Sequence, residues 1–334
     1  MSNMSRGQRR LIFWIAFSLF LILSPLVVFY AMGYTYDTSS ASFVRTGSLR
    51  FVTNTPVSIT INDINLGSTS FFNTSFENSF GKSRVVPELL KIELKTKEGA
   101  KWSKSIELKP AQFIDFPKIV IPPSVLNEDH IATLSHSFNQ MSFNDGFLYI
   151  YNKTDTKKAI SKSREKVVRF DMRNVFLRSL ISSESLDFNL SSISQASNSL
   201  VDFSGTLGAG TLKDSLKFRP FGGDARTAFY SGNRLYIVWP RQTGYQPFIE
   251  ANTTSDPIIF DKKIEDVFWY KDGEHLFVLS DGKVYFIDID FRGEIQRTII
   301  KDNIDGPIYY IDYQNGIYIV NNKSKTLIRL DVDF

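Results

Sequence analysis

The feature that most constrains this sequence is an uncharged apolar stretch of 22 residues, Leu11 to Met32. At about 1.5 Å per helical residue this stretch spans about 33 Å, enough to cross a bilayer core about 30 Å thick. The sequence therefore predicts a transmembrane helix over residues 11–32, with the lipid bilayer as its first partner. The alternative is a signal peptide cleaved near Ala31-Met32-Gly33, whose apolar region is normally shorter, about 7–15 residues.

Arginines at the start of the chain predict the orientation of this helix. Arg6, Arg9 and Arg10 precede the apolar stretch without an acidic residue among them. Positively charged flanks stay in the cytoplasm, so residues 1–10 are predicted to form a cytoplasmic tail. Since no later segment is apolar over about 18 residues, the bulk of the chain is predicted to lie outside the cytoplasm, in a single-pass membrane protein.

Composition excludes several classes of protein. Three of the arginines that give the net charge of +4 lie in the first ten residues, so the rest is nearly neutral and no nucleic-acid partner is expected. The absence of cysteine excludes disulfides, thiolate metal sites and cysteine nucleophiles. Hydrophobic residues make up 43% of the chain, enough for a packed core. A mainly β globular protein without a cofactor is therefore expected.

Alternating apolar and polar residues predict a small β-domain over residues 46–123, after a linker at residues 33–45. Such alternation marks strands with one buried face. The strands are expected around Leu49–Phe51, Val57–Ile61, Leu90–Lys95 and Ser105–Leu108. Thr55-Pro56 and Asn62-Asp63 provide turns between them, and Pro122-Pro123 closes the domain.

These residues match the pattern of a known family. The matching positions are Gly47, Leu49, Phe51, Thr53 and Pro56, then Ile59, Ile61 and Asn62, and finally Gly67 and Thr69. The alternating strand that leads to a tryptophan in that family is similar to Leu90–Trp102, whereas Asp63 takes the place of the usual glycine. The segment thus resembles the PEGA domain, a small β-sandwich-like module of bacterial and archaeal surface proteins. The resemblance implies association with surface layers or cell-wall material.

Beyond residue 123 a pattern of turn and strand recurs. A turn precedes an apolar strand at Gly146, Gly232, Gly273 and Gly316. The last two intervals are about 40–45 residues and the first is twice as long, and β-propellers repeat four strands at this period. A following strand recurs at Val167–Asp171, Val284–Asp288 and Leu327–Asp331, and Ser280–Lys283 predicts a hairpin. Residues 124–334 are therefore predicted to form an irregular β-propeller-like domain of about five blades, which resembles the bacterial TolB-like propellers.

Two patterns in this domain are weak candidates for phosphate or metal binding. Gly205–Thr211 has the glycine spacing of a phosphate loop but lacks its lysine and Ser/Thr. His130 and His136 lie near two acidic residues, but no third metal ligand is fixed by the sequence. A lone histidine in a turn, His275, is expected to be solvated.

Paired carboxylates follow two of the predicted strands. Asp288 and Asp290 share one strand face, as do Asp331 and Asp333, and such pairs bind calcium or hydrolyse glycosides. Their recurrence at the same place in successive repeats favours a structural role, the capping of strand ends. Aromatic residues offer a platform for sugar stacking, although burial in the core is their commoner use. They are Trp102, Trp239, Trp269, Tyr236, Tyr245, Tyr270, Tyr309 and Tyr310.

Together these features predict a non-enzymatic, membrane-anchored binding or scaffold protein of the bacterial cell envelope. Its propeller-like face is expected to bind cell-wall or surface-layer glycan, or an envelope protein. The alternative is a membrane-tethered hydrolase of glycans or peptides, which needs two carboxylates about 5–10 Å apart in the propeller channel. No catalytic, cofactor-binding or metal-binding residue is assigned from the sequence.

Overall fold

The polypeptide is mainly β, with one long helix and several sheets. A computed structural model describes residues 6–37, 41–69, 78–144, 146–152, 167–172, 217–221, 226–240 and 249–334. The chain divides into two units, which are described separately. Unit 1 comprises Met1–Ile121 with Arg292–Glu294, and unit 2 comprises Pro122–Phe291 with Ile295–Phe334.

The N-terminal helix α1 spans Arg6–Ala31 and contains no buried residue. In the described part of the chain it alone is long and apolar enough to cross a membrane, judged by length and composition. It begins earlier than the predicted stretch because the arginine-rich segment continues the helix. It ends before Gly33, whose φ of +83° is the left-handed conformation in which glycine commonly terminates helices.

Within the segment predicted to be a linker, residues 33–45, the structure describes a pair of strands, here called the hairpin. Strand β1 (Tyr34–Asp37) pairs antiparallel with β2 (Ser42–Arg45). The ring of Phe29 near the end of α1 lies 5.5 Å from that of Tyr34 and 6.0 Å from that of Phe43. The sequence did not reveal this hairpin, since its strands are short and one of their packing partners belongs to the helix.

The rest of unit 1 consists of two sheets around one core. Its strands are β3 (Gly47–Thr53), β4 (Val57–Ile61), β5 (Ile64–Ser68), β6 (Asn78–Val85), β7 (Leu89–Thr96), β8 (Lys101–Glu107) and β9 (Phe113–Ile119). One sheet has the order β6-β3-β9, in which β3 and β9 are parallel, and the other has the order β5-β4-β7-β8. Alternate residues of β4, β7 and β8 are buried, as the alternating sequence predicts. Trp102 packs edge-on against Phe116, which stacks on Phe51 at 5.4 Å.

Unit 2 contains four antiparallel sheets in its described residues. The first is β11 (Gln140–Asn144), β12 (Phe147–Tyr151) and β13 (Val167–Asp171). The second is β14 (Lys217–Phe221), β15 (Arg226–Ser231) and β16 (Arg234–Trp239), with β17 (Thr253–Thr254) and β18 (Ile258–Ile259) both on β16. The third is β19 (Ile264–Trp269), β20 (His275–Ser280), β21 (Lys283–Asp288) and β22 (Arg297–Lys301). The fourth is β23 (Ile308–Ile311), β24 (Gly316–Asn321), β25 (Thr326–Asp331) and β10 (Glu128–Thr133), with a 3-10 turn at Asp312–Gln314.

Two features of the topology bring distant parts of unit 2 together. Strand β10, the first of the unit, completes the fourth sheet by pairing with its last strand, β25. The strands that open the four meanders also lie side by side, β14 beside β19, β19 beside β23, and β23 beside β11. Side chains on these four opening strands therefore meet although they are far apart in sequence.

The hairpin predicted at Ser280–Lys283 is confirmed. Ser280 pairs with Lys283, and Asp281 and Gly282 both have positive φ, as in a type I′ turn. The predicted equivalence of the four glycine turns is wrong at Gly232. That residue connects the second and third strands of its sheet, like Gly282, whereas Gly146, Gly273 and Gly316 follow opening strands. Both kinds of turn use Gly, Asp and Asn, so local composition does not distinguish them.

Gly47 provides a test of the packing at the start of β3. A β-carbon there would lie 2.7 Å from the carbonyl oxygen of Gln112 and 2.8 Å from Cδ1 of Leu108. Gly47→Ala is expected to lower the free energy of unfolding by about 1–3 kcal/mol, measured by thermal denaturation with circular dichroism, because backbone must shift to make room. Gly81→Ala in the same sheet is the control, since its nearest atom lies 4.0 Å away. Equal destabilisation by both variants would contradict the close packing at Gly47.

Candidate functional site

The opening strands of the four sheets place five side chains in a continuous series of contacts, here called the first-strand cluster. Its members are Arg219 on β14, Asp266 and Phe268 on β19, Tyr309 on β23 and Phe143 on β11. The guanidinium carbon of Arg219 lies 5.7 Å from the ring centre of Phe268. The rings of Phe268 and Tyr309 are 5.4 Å apart, and those of Tyr309 and Phe143 are 6.2 Å apart. All four described sheets therefore contribute to one site.

Asp266 is held by one of its carboxylate oxygens. Its Oδ1 accepts hydrogen bonds from Nη2 of Arg219 at 2.8 Å, from the Tyr230 hydroxyl at 2.9 Å and from the Val267 amide at 2.9 Å. Its Oδ2 receives none from the described residues, and the side chain is 27% exposed. A β-bulge between Ile264 and Asp266 interrupts the ladder here, and bulges change the direction in which side chains point. One oxygen is thus fixed and the other is open.

Arg219 brings a fixed positive charge to the cluster. Its Nε donates to the carbonyl of Val267 at 3.1 Å, and its own carbonyl accepts from the indole of Trp269 at 2.6 Å. Burial alone would lower the pKa of Arg219, but attraction by Asp266 and Tyr230 outweighs it and raises the pKa. Because the side chain remains 41% exposed, a ligand in solution can contact this charge.

Aromatic rings continue the site beyond the ion pair. Tyr309 and Phe143 are half-buried, and Tyr313, 5.9 Å from Phe143, is 58% exposed. Burial raises the pKa of Tyr309, and Asp266 adds to this while Arg219 opposes it, so its hydroxyl is neutral at pH 7. A charged donor, an open carboxylate oxygen and flat rings suit a ligand with hydroxyl groups and an apolar face.

A second group of charged residues lies in the turn between β19 and β20 and is buried. Asp272 Oδ1 accepts from the amides of Glu274 and His275 at 2.8 and 3.1 Å, and its Oδ2 lies 2.7 Å from His275 Nδ1. The His275 ring stacks on Phe286 at 4.8 Å. The expectation that His275 is solvated is therefore wrong: the residue is 0% exposed. Its polar contact comes from Asp272, three residues earlier, which keeps one ring nitrogen satisfied inside the protein.

Arg226 on β15 joins this turn to the neighbouring sheet. Its Nη2 lies 2.5 Å from Oε1 of Glu274, and its Nη1 donates to the carbonyl of Gly273. Gly273 has a φ of +69°, and a β-carbon on it would lie 2.3 Å from the ring of Phe221. Since the side chains of Arg226 and Glu274 are only 8% and 4% exposed, this contact has a structural role and does not reach a ligand in solution.

The two acidic pairs considered from the sequence do not join the first-strand cluster, although Asp288 pairs with His275 across the ladder between β20 and β21. Asp288 Oδ1 accepts the amide of Asp290 at 2.9 Å, and Asp331 Oδ1 accepts that of Asp333 at 3.3 Å, which fits the predicted role at strand ends. Gly205–Thr211 lies outside the described residues.

The two histidines considered as metal ligands are both exposed, and the acidic residues beside them are paired with cations. His136 Nδ1 contacts the Ser135 hydroxyl, and Glu128 pairs with Lys301. Asp129 Oδ2 lies 3.3 Å from Nη1 of Arg329. Within the described ranges, no group of three His, Asp or Glu side chains is placed to hold a metal ion.

Most of the aromatic residues considered for a sugar platform belong to the core. Trp102, Trp239, Trp269, Tyr270 and Tyr310 are buried. Tyr236 stacks on Phe229 at 4.8 Å, and Tyr245 lies outside the described residues. Tyr309 alone of this set joins the first-strand cluster. The sequence analysis missed the other four members of the cluster, for which the only available signal was a place in an opening strand.

Comparisons with known proteins do not assign this chain to a family. No family model matches it. No curated protein matches it. Among solved structures, the extracellular domain of BT4673 from B. thetaiotaomicron, described as a hybrid two-component system, has a TM-score of 0.28 and 8% identity over 90% of this chain. The same domain, described as a one-component system, has a TM-score of 0.26 and 10% identity over 90% of this chain.

A third solved structure is the periplasmic gluconolactonase PpgL of Pseudomonas aeruginosa. Its TM-score is 0.25 at 12% identity, over 88% of this chain and 85% of that protein. The chain spans about a third of the length of the two BT4673 structures, 32% and 30%. TM-scores this low assign neither a fold nor a function.

The buried turn predicts how stability depends on pH. Burial raises the pKa of Glu274 to about 8, although Arg226 opposes this. Burial alone would lower the pKa of His275, but Asp272, Asp288 and Glu274 outweigh it and raise the pKa. Both groups therefore bind protons more tightly in the folded state, so stability is expected to fall as pH rises from about 5 to 8. Each group contributes at most about 1.4 kcal/mol per pH unit.

Thermal denaturation between pH 5 and 8 measures this dependence. Glu274→Gln is expected to reduce the slope, since the amide does not titrate and only the contribution of His275 remains. Glu250→Gln, a change at an exposed acidic residue of unit 2, serves as the control and is expected to keep the slope of the parent. A melting temperature that rises with pH in this range would contradict the assigned direction.

Proposed function

We propose that this protein is a non-enzymatic, membrane-anchored binding protein of the bacterial cell envelope, with unit 2 outside the cytoplasm. Helix α1 supports the anchor by its length and apolar surface, and Arg6, Arg9 and Arg10 favour a cytoplasmic N-terminus. The resemblance of residues 46–123 to PEGA domains supports a role at the cell surface. In this proposal unit 1 is the stalk and unit 2 carries the ligand site.

A propeller-like arrangement of unit 2 is part of the proposal. The pairing of β10 with β25 supports it, since this joins the start of the unit to its final sheet. The adjacency of the opening strands β14, β19, β23 and β11 also supports it, because the blades of a propeller surround a central channel.

The first-strand cluster is the observation that carries the proposed binding function. We assign the ligand to cell-wall or surface-layer glycan. Sugar rings would stack on Tyr309, Phe143 and Tyr313, and their hydroxyl groups would donate to Asp266 Oδ2 and accept from Arg219. Tethering to the membrane would raise the local concentration of the site near the wall, so modest affinity for each sugar suffices.

Binding of purified cell-wall polymer to the full-length protein in nanodiscs tests this assignment. Saturable binding is expected, and Arg219→Ala should weaken it about 10–100-fold, because hydrogen bonds to charged groups contribute about 1.5–3 kcal/mol. Tyr309→Ala is expected to weaken it as well, through loss of stacking. Arg234→Ala, which removes an exposed arginine on β16, is the matched control and should leave binding unchanged.

The same samples distinguish the alternative functions. Arg219-dependent capture of a defined envelope protein, without glycan binding, would show that the ligand of the cluster is a protein. Release of shortened glycan or peptide fragments would support the hydrolase alternative instead. Folded protein that binds neither polymer nor protein would contradict the proposed role of the cluster.

Cysteine labelling tests the proposed topology, because the natural chain contains no cysteine. Val125 in unit 2 is 81% exposed, and Gly7 is an exposed residue at the start of α1. A maleimide that does not cross membranes is expected to label Val125→Cys in intact spheroplasts. It should label Gly7→Cys only after the membrane is permeabilised. The reverse pattern would contradict the proposed orientation.

A further inference from the structure

Exposed apolar side chains of unit 1 continue beyond α1. In the hairpin that follows the helix, Tyr36 is 53% exposed and Phe43 is 54% exposed. Within the described part of residues 46–121, three large hydrophobic side chains are exposed: Ile64 at 65%, Leu89 at 67% and Phe113 at 58%. Large apolar groups that are exposed together commonly mark an interaction surface.

Phe113 and Leu89 lie at the end of the two sheets where β3 leaves the hairpin. Phe113 pairs with Ser48 at the start of β3. Gly47, the residue before Ser48, packs closely against the side chain of Leu108. Leu89 pairs with Glu107, the neighbour of Leu108, so this residue lies at the same end.

Ile64 belongs to the same end through the turn between β4 and β5. Asn62 in that turn donates its amide to the carbonyl of Lys91 at 3.0 Å and its side chain to Glu88 Oε1 at 2.9 Å. The turn is thus fixed beside the first residues of β7, which begins at Leu89. Ile64 directly follows it. The three exposed side chains thus lie at the end of the two sheets where β3 leaves the hairpin, and this end together with the hairpin is here called the apolar end of unit 1.

The end of α1 is tied to this surface by direct contacts. The carbonyl of Gly33 accepts hydrogen bonds from the amide of Thr46 at 2.9 Å and from its hydroxyl at 2.7 Å. The guanidinium carbon of Arg84 lies 3.4 Å from the ring centre of Tyr30. The stacking of Phe43 on Phe29 adds a third contact. These contacts fix the end of α1 to the hairpin, to the start of β3 and to the end of β6.

We propose that the apolar end of unit 1 rests in the interface of the bilayer that α1 crosses. The occupant of this surface is the lipid headgroup region, because the surface is continuous with the lipid-facing helix. Tyrosine side chains favour this depth, and Arg45 and Arg84 are placed to meet lipid phosphates. Glu88 and Glu107 lie at the same end, and because burying their charges in hydrocarbon is costly, they limit the contact to the headgroup region. The inference rests on the proposed membrane span of α1 and is independent of the ligand of unit 2.

Spin labelling of the full-length chain in nanodiscs of phosphatidylcholine and phosphatidylglycerol tests this inference. Single nitroxide labels are attached at Phe113→Cys and Leu89→Cys, where the exposed side chains tolerate a probe. Glu98→Cys is the control, since this exposed residue lies in the turn after β7, at the other end of that strand. Leu19→Cys in the middle of α1 reports separately on the membrane span. Collision with oxygen and with a neutral nickel chelate gives the depth of each label.

The labels at positions 113 and 89 are expected to collide with oxygen several-fold more readily than the label at position 98, and less readily with nickel. Nickel-accessible labels at both positions, with position 19 inside the bilayer, would overturn the interfacial contact while leaving the anchor intact. A nickel-accessible label at position 19 would overturn the membrane span itself, and the interfacial contact with it. Unchanged circular dichroism spectra establish that each labelled variant is folded.

Discussion

The architecture of unit 2 depends on the pairing of its first strand with its last. Strand β10 completes the sheet of β23, β24 and β25, so residues about two hundred positions apart share one hydrogen-bonded ladder. Within the ladder Asp129 pairs with Arg329, and Glu128 pairs with Lys301 of the neighbouring third sheet. Exposed ion pairs of this kind add little on their own, so the backbone ladder and the burial of Leu327 and Leu330 hold the two segments together. Because this sheet carries β23, the position of Tyr309 in the first-strand cluster depends on the same pairing.

Much of the local structure could be predicted from the sequence, because it depends on neighbouring residues. The alternation in Val57–Ile61 and Leu90–Lys95 follows from one buried strand face, and Asp281-Gly282 favours positive φ at both positions of its turn. The length of the apolar stretch likewise determines the helix. The equivalence of turns across the sheets failed at Gly232, since the order of strands within a sheet is a property of the whole fold.

The candidate site could not be predicted, because its members share no local signal. Arg219, Asp266 and Tyr309 meet only when three sheets adopt their relative positions, and a bulge places Asp266 beside Arg219. The prediction that His275 is exposed was wrong because contacts made in the folded chain enclose its ring. A histidine after an Asp-Gly turn is usually exposed, but here Asp272 satisfies one ring nitrogen while Phe286 covers the ring. The members of the site are far apart in sequence, whereas His275 is enclosed by a residue of its own turn and by a ring from the next strand.

The hydrogen bonds between Gly33 and Thr46 have a mechanical consequence. A flexible linker would let the sheets of unit 1 keep their orientation while the helix α1 tilts. With the carbonyl of Gly33 bound by both the amide and the hydroxyl of Thr46, the end of α1 and the start of β3 must turn together. Transmembrane helices tilt to match the thickness of the bilayer around them. If α1 crosses the membrane as proposed, lipid composition would therefore set the angle at which the sheets of unit 1 leave the bilayer.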